Sequence, residues 1–392
     1  MVSPKPTLAL IRTLAGEGDF HLYRLIAEGK AGFVFLKCLR TTLSYAWLRG
    51  GISDAETVAF IKGPNQLRLF QNQKASLEAE FGKLQAYTSP RANTKMHQLA
   101  LPRFAIRHIL FQTYYLLLML VTRRARYLNL FLLHFFAAIQ ISIDRGFAST
   151  RNFICYNDQP FDVAAIIAAL HQRADCRTIV IQHGLVLSEK FYFPANAQEF
   201  WAWGELSRVH FQSRAPNGKM VVKGRYKDDL ESKSDIFVMP EEGDKNWKIL
   251  VAPSFKHDEI KELVGIAKKT FFPKGKSFDR MAIKMHPATK SVWMIKLWLL
   301  MTARGIVIER AHMEDLSDQY DVLFTKHSTS AVDFLLRGKP VAFLTLVSGA
   351  TFPSDKYGLS ISQFKTPLQT GKYDIEHMNE SRIKFLKCAL NV

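Results

Sequence analysis

Residues 152–184 read NFICYNDQPFDVAAIIAALHQRADCRTIVIQHG. A short apolar run is followed by a helical pattern with an alanine and isoleucine face, and then by a second apolar run. Pro160 suits the first turn of that helix, and Asp158 is placed to cap it. A strand-helix-strand unit of this length is a crossover in a parallel sheet, and such sheets offer ligands the loops beyond the strands' carboxyl ends. His183 in Gln182-His183-Gly184 falls at such an end, and Gly184 would allow a ligand or backbone to approach closely.

Downstream, EFWAWGELSRVHFQ (199–212) and KMVVKGRYKDD (219–229) read as two further strands with a helix between them. Residues 231–247, ESKSDIFVMPEEGDKNW, are polar and turn-rich and read as a linker, with Glu241-Glu242-Gly243 inside it. The pattern then restarts. WKILVAPSF (247–255), RMAIKMHP (280–287), IVIER (306–310), DVLFTKHS (321–328) and PVAFL (340–344) are strands, separated mostly by the helical stretches 257–270, 288–305 and 329–339. This spacing predicts an α/β protein of two doubly wound, Rossmann-like domains facing a cleft.

The expected division is 1–240 for the first domain, helical over about 1–150 and α/β over about 151–240. A second domain covers 245–370, and a tail helix covers 371–392. Within the helical region, 66–98 is polar, whereas 108–121 and 127–143 are strongly apolar and separated by Thr122-Arg123-Arg124-Ala125-Arg126. These runs are short or polar-interrupted for membrane spans, which take about 20 apolar residues. With Lys95, Arg103 and Arg107 nearby, they suit either a domain core or a segment lying on an anionic bilayer.

Composition bounds the rest. The 392 residues are 48% hydrophobic and 22% charged with 29 Phe, so the chain can bury ample core. Fifty-three Lys and Arg against 35 acidic residues give a formal charge of +18, which attracts anions of several classes without choosing among them. Cys38, Cys155, Cys176 and Cys388 are dispersed, with no spacing for zinc or a redox pair. The N-terminal residues lack a long apolar core and a cleavage site, so a cytoplasmic location is expected. There is no P-loop, no strand-linked Gly-x-Gly-x-x-Gly and no Gly-x-Ser-x-Gly, which counts against P-loop ATP hydrolysis, dinucleotide redox chemistry and serine hydrolysis.

Ser328, Thr329 and Ser330 lie where a strand ends and a helix begins, beside Lys326 and His327. Hydroxyls and first-turn N–H groups would converge there on an anion such as phosphate, and the same residues would also serve as a plain N-cap. Asp333 lies on the same face of that helix, suited to ribose hydroxyls or to the helix's positive end. In Lys284-Met285-His286-Pro287 the proline stops the strand, leaving His286 at the rim to donate to phosphate. His183 suits a general base toward an attacking hydroxyl, or a turn histidine bonded to backbone. Ser254, following the strand at 247–253, joins Gln182, Gly184 and His327 as a further cleft candidate.

With these elements in order, residues from about 150 to 345 resemble the GT-B glycosyltransferases that build bacterial surface polymers, especially capsule-type Kdo transferases and CDP-glycerol glycerophosphotransferases. The resemblance rests on YND and PF at 156–161, IVIQHG at 179–184, WAWGE at 201–205, VVKGRYKDD at 221–229, IKMHP at 283–287 and HSTSAVDFLLRGKPVAF at 327–343. Where that group often has Gly-Ser-Pro-Arg-Tyr-Asp, this chain has the shorter Gly224-Arg225-Tyr226-Lys227-Asp228.

The resemblance implies transfer of a Kdo- or sialic-acid-like sugar, or a polyol phosphate, from a CMP- or CDP-activated donor to a glycan or lipid-linked acceptor. By the same resemblance His286, Ser328, Thr329 and Ser330 would hold phosphate, Asp333 the ribose, and His183 would face the reacting centre; Lys284, in the same strand end as His286, joins the phosphate-binding candidates. No metal is expected, because histidine, lysine and helix N–H groups can supply the positive field, and no cofactor beyond the donor substrate and no nucleic acid are expected. The apolar, arginine-bordered runs add an anionic membrane surface as a further candidate partner. A UDP-sugar epimerase, and an inactive membrane-surface binding protein, are the alternatives on the same fold.

Overall fold

The computed structural model describes residues 55–88, 103–122, 147–158, 161–171, 173–184, 196–214, 218–224, 247–253, 257–271, 280–286, 289, 292–325 and 330–343, together with 127, 130, 131 and 134. The linker at 231–246, the tail helix, most of the apolar run 127–143, and Ser254, Lys326, His327, Ser328 and Thr329 lie outside the described residues. The chain divides into two compact units. One comprises 1–183, 192–202 and 211–221, and the other 184–191, 203–210 and 222–392.

The first unit is built on a six-stranded sheet. Its strands are β1 (Thr57–Ile61), β2 (Leu84–Thr88), β3 (Asn152–Cys155), β4 (Arg177–Ile181), β5 (Glu199–Ala202) and β6 (Lys219–Val222), in the order β2-β1-β3-β4-β5-β6. The ladders from β2 through β5 are parallel. Helices α1 (Pro64–Phe81), α2 (Arg103–Thr122) and α3 (Phe161–Leu170) belong to this unit, whereas α4 (Glu205–Arg214) is divided, 205–210 falling in the second unit and 211–214 in the first. Every residue of β1 is buried, as an apolar strand covered on both faces requires.

The region expected to be helical over about 1–150 therefore carries two strands as well. TVAFI has no polar alternation and LQAYT is short, so neither shows the period-two signal of a half-exposed strand. Their place is set by long-range pairing, Thr57 opposite Asn152 and Phe60 opposite Cys155. Phe60 stacks on Tyr87 at 5.3 Å and on Phe153 at 6.0 Å, and Phe147 meets Tyr87 edge-on at 6.0 Å, so three segments distant in sequence share one aromatic core.

An ion-pair network ties β4 to β5. Arg177 donates to Glu199 through Nε (2.8 Å) and Nη2 (2.5 Å), and Trp201 Nε1 donates to the same carboxylate at 3.3 Å. Arg177 also lies over Phe81, which stacks on Trp201 at 5.5 Å. The Glu199 side chain is only 9% exposed, so it depends on these donors. Arg177→Ala is expected to lower unfolding free energy by about 1–2 kcal/mol in urea titrations, with Lys219 left to contact the carboxylate. Unchanged stability would show that solvent replaces the arginine.

The second unit has a five-stranded sheet in the order β11-β10-β7-β8-β9, from β7 (Ile249–Ala252), β8 (Met281–Lys284), β9 (Val307–Glu309), β10 (Val322–Thr325) and β11 (Val341–Phe343). All four ladders are parallel. Helices α5 (His257–Phe271), α6 (Val292–Thr302), α7 (Met313–Gln319) and α8 (Ser330–Leu336) connect the strands. Ile260, Leu263, Val264 and Ala267 of α5, at helical spacing, pack with Ile249, Val251, Met281, Ile283, Ile295, Leu299 and Phe324. Helix α7 was not anticipated, because MEDLSDQ has too few apolar residues to show a periodic face; it buries Leu316 and Ser317. Helix α8 stops at Gly338, whose φ of 68° suits a residue without a side chain, with Gly338 N–H donating to Leu335 at 3.1 Å.

Candidate functional site

In the first unit, β3 and β4 run side by side, with Cys155 opposite Val180, so the residues that follow them emerge at one sheet edge. Tyr156, Asp158 and Gln182 are buried there, and His183 is partly buried. The backbone carbonyl of Tyr156 accepts a hydrogen bond from the His183 ring. Burial lowers the His183 pKa to about 4, outweighing that bond, so the imidazole is neutral at pH 7. A neutral imidazole that donates from one nitrogen carries its lone pair on the other, which makes that nitrogen a proton acceptor.

The neighbours of His183 are themselves held. Tyr156 donates its hydroxyl to Gln73 Oε1 of α1 at 3.0 Å. Gln182 N–H donates to Trp201 O at 3.0 Å, fixing the start of the Gln-His-Gly turn against β5. The carbonyl that orients the histidine therefore belongs to a residue locked by both its strand and its side chain.

Asp158 does not cap α3. Its Oδ2 accepts the backbone N–H groups of Asn196 (2.5 Å) and Ala197 (3.1 Å), its carbonyl accepts from Asn196 Nδ2 at 2.9 Å, and Oδ1 has no hydrogen-bond partner. Burial pushes its pKa up to about 6 despite those N–H donors. It thus anchors the returning end of the connection that leaves β4 through His183.

In the second unit, β8 and β10 flank β7, which places their carboxyl ends about 10 Å apart at the usual interstrand spacing. His286 follows β8 and is exposed; partial burial of the ring lowers its pKa below the ordinary imidazole value. Its carbonyl accepts Thr289 N–H at 2.9 Å, closing the turn after the strand. Lys284 directs its ammonium to the carbonyls of Arg310 (3.1 Å) and Ala311, so its charge braces the loop after β9. Ser330 opens α8, and Asp333, 6% exposed, lies on the same helix. Among the described residues, no group of three or more His, Cys, Asp or Glu side chains is placed to hold a metal ion.

Sequence reasoning singled out His183, Gln182, His286, Lys284, Ser330 and Asp333, and each stands in or beside a strand's carboxyl end or at the helix that follows. The Tyr156 carbonyl and the Asp158 anchor were missed as partners of the histidine turn. The YND element did mark the place, but a backbone acceptor leaves no signature in residue type.

No protein-family model and no curated protein sequence matches the chain. Among solved structures it is similar to a Listeria monocytogenes protein assigned as a UDP-N-acetylglucosamine 2-epimerase, with a TM-score of 0.50 and 11% identity over 86% of this chain and 92% of that one. It is also similar to the UDP-GlcNAc 2-epimerase of Neisseria meningitidis bound to UDP-GlcNAc, with a TM-score of 0.46 and 14% identity over 84% and 94%. A third is the wall teichoic acid polymerase TagF, with a TM-score of 0.42 and 12% identity over 94% and 92%. The likeness is one of fold. Two Rossmann-like units of the GT-B type are common ground; chemistry is not carried by identities this low.

Proposed function

We propose that the chain is a nucleotide-sugar-dependent transferase that moves a Kdo- or sialic-acid-like sugar, or a polyol phosphate, from a CMP- or CDP-activated donor to a surface glycan or lipid-linked acceptor. The observation that carries this reading is the neutral His183 at the carboxyl edge of β4, oriented by the Tyr156 carbonyl. It takes the proton of the acceptor hydroxyl as that oxygen attacks the donor's electrophilic centre, and the bond to the nucleotide phosphate breaks. His286 and Ser330 hold that phosphate through N–H, O–H and helix N-terminal donors, which stabilises the leaving charge without a metal. Asp333 takes the ribose, and Lys284 supports the site through the loop that it braces. The apolar character of α2, with Arg103 and Arg107 in it and Arg123, Arg124 and Arg126 following in sequence, supports an anionic membrane face as a further partner.

A thermal-shift panel of CMP, CDP, UMP, UDP and GDP tests the donor. Cytidine nucleotides are expected to stabilise the protein, as RT ln(1 + [L]/Kd) requires, and His286→Ala is expected to remove most of the shift. No response to any nucleotide would sink the proposal.

The fold likeness to a protein assigned as a UDP-N-acetylglucosamine 2-epimerase favours one second reading, a UDP-sugar epimerase. Stabilisation by UDP and not by CMP or CDP selects it.

A further inference from the structure

Helix α6 turns an apolar face to solvent. Trp293 is 66% exposed, Met294 47%, Leu297 50%, Leu300 64% and Met301 68%, whereas Ile295 and Leu299 are buried against the core. At about 100° per residue the five exposed side chains cover an arc of roughly 120°. That is the width of face a helix ordinarily buries, and here it lies on the side away from its own core. Exposed Val307 at the start of β9 adds to the apolar surface of this unit. Single exposed apolar residues are ordinary, but five on adjoining turns of one helix mark an interaction surface.

The charge around this face selects its partner. Between Arg280 and Arg310 the sequence holds Arg280, Lys284, Lys290, Lys296, Arg304 and Arg310 against one acid, Glu309. Lys296 and Arg304 are exposed, Lys296 on α6 itself and Arg304 just past its end. A second copy of the chain would bring the same cations and another +18 of formal charge, which opposes association. An anionic bilayer supplies the opposite charge and an apolar layer that takes Trp, Leu and Met without a matching shape. Tryptophan favours the headgroup level, and Lys and Arg near it add attraction to anionic lipid.

We propose that α6 is a membrane-docking face of the second unit, laid flat on anionic lipid with Trp293, Leu297 and Leu300 inserted and Lys296 at the headgroups. This deepens the membrane part of the function proposed above and is independent of its donor chemistry. Helix α6 has 11 residues, against about 20 for a membrane span, so the proposed contact is one of lying on the surface.

The test is co-sedimentation of the full chain with phosphatidylglycerol–phosphatidylcholine vesicles and with phosphatidylcholine vesicles alone. The wild type is expected to bind the anionic vesicles selectively, and Trp293→Ser with Leu300→Ser to weaken that binding by about tenfold or more at unchanged melting temperature. Lys296→Glu is expected to weaken it mainly at low salt. A matching α2 pair, Leu117→Ser with Val121→Ser, reports on the other helix. The proposal is overturned if the α6 double variant binds as well as the wild type, if the wild type ignores anionic vesicles, or if light scattering shows a dimer that the α6 variant dissociates. Nucleotide stabilisation in the same samples reads the donor proposal separately, so either can fail alone.

Discussion

Replacing His183 by alanine is expected to lower turnover by about 100- to 10,000-fold while leaving cytidine-nucleotide stabilisation of the protein intact. The split follows from where the residue stands. His183 follows β4 of the first unit, whereas the residues assigned to phosphate and ribose, His286, Ser330 and Asp333, belong to the second. Its ring donates to the Tyr156 carbonyl, and burial keeps it neutral down to about pH 4, so the proton-accepting form persists through the physiological range. His183→Gln, which restores a side-chain amide donor but no titratable base, is expected to recover little. Full activity in either variant would remove the histidine from the chemistry, and a parallel loss of nucleotide binding would make its role one of folding.

The second large effect is on stability against pH, where His183 and Asp158 act with opposite signs. His183 falls from 6.5 to about 4 in the folded chain, so the unfolded chain takes up a proton that the folded one refuses. Its contribution is fully present above pH 6.5 and is lost as pH falls toward 4, by about 3 kcal/mol at about 1.4 kcal/mol per unit. Asp158 rises from 3.8 to about 6, so the folded chain keeps a proton that the unfolded one releases. That contribution is fully present below pH 3.8 and is lost as pH rises through 6, again by about 3 kcal/mol. Over pH 4–6 the two nearly cancel in the wild type.

Asp158→Asn keeps an acceptor for the Asn196 and Ala197 N–H groups, and relative to the wild type its stability is expected to climb with pH from 4 to 6. His183→Asn is expected to show the reverse, a relative stability that falls over the same window. Urea titrations at half-unit pH steps measure both, and variants with parallel profiles would refute the assignment.

Much of this architecture was legible because parallel strands covered on both faces read as unbroken apolar runs. NFIC, RTIVI, ILVA, MAIK and VLFT announce themselves in that way, and the amphipathic α5 gives its face by spacing alone. The first two strands were not legible. TVAFI and LQAYT are five residues each, set among helical patterns, and become strands because β3 lies ready to pair with β1 across about ninety intervening residues. The site divides in the same way. Strand-end position marked His183 and His286, but the partner of His183 is a backbone carbonyl, and the carboxylate of Asp158 reaches forward to Asn196 and Ala197 across 38 and 39 residues.

The sequence by itself determined the α/β class, the restart of the strand-helix pattern after residue 247, and the residue types waiting at the strand ends. These follow from local spacing, since burial on both faces of a strand or on one face of a helix dictates which positions are apolar. Only the tertiary structure decided that two early strands complete the first sheet, that Lys284 braces a loop, that burial keeps the His183 ring neutral and lifts the Asp158 pKa to about 6, and that α6 keeps its apolar face outward. Each of these depends on what surrounds a group in space, and desolvation and long-range pairing leave no trace in the order of residues along the chain.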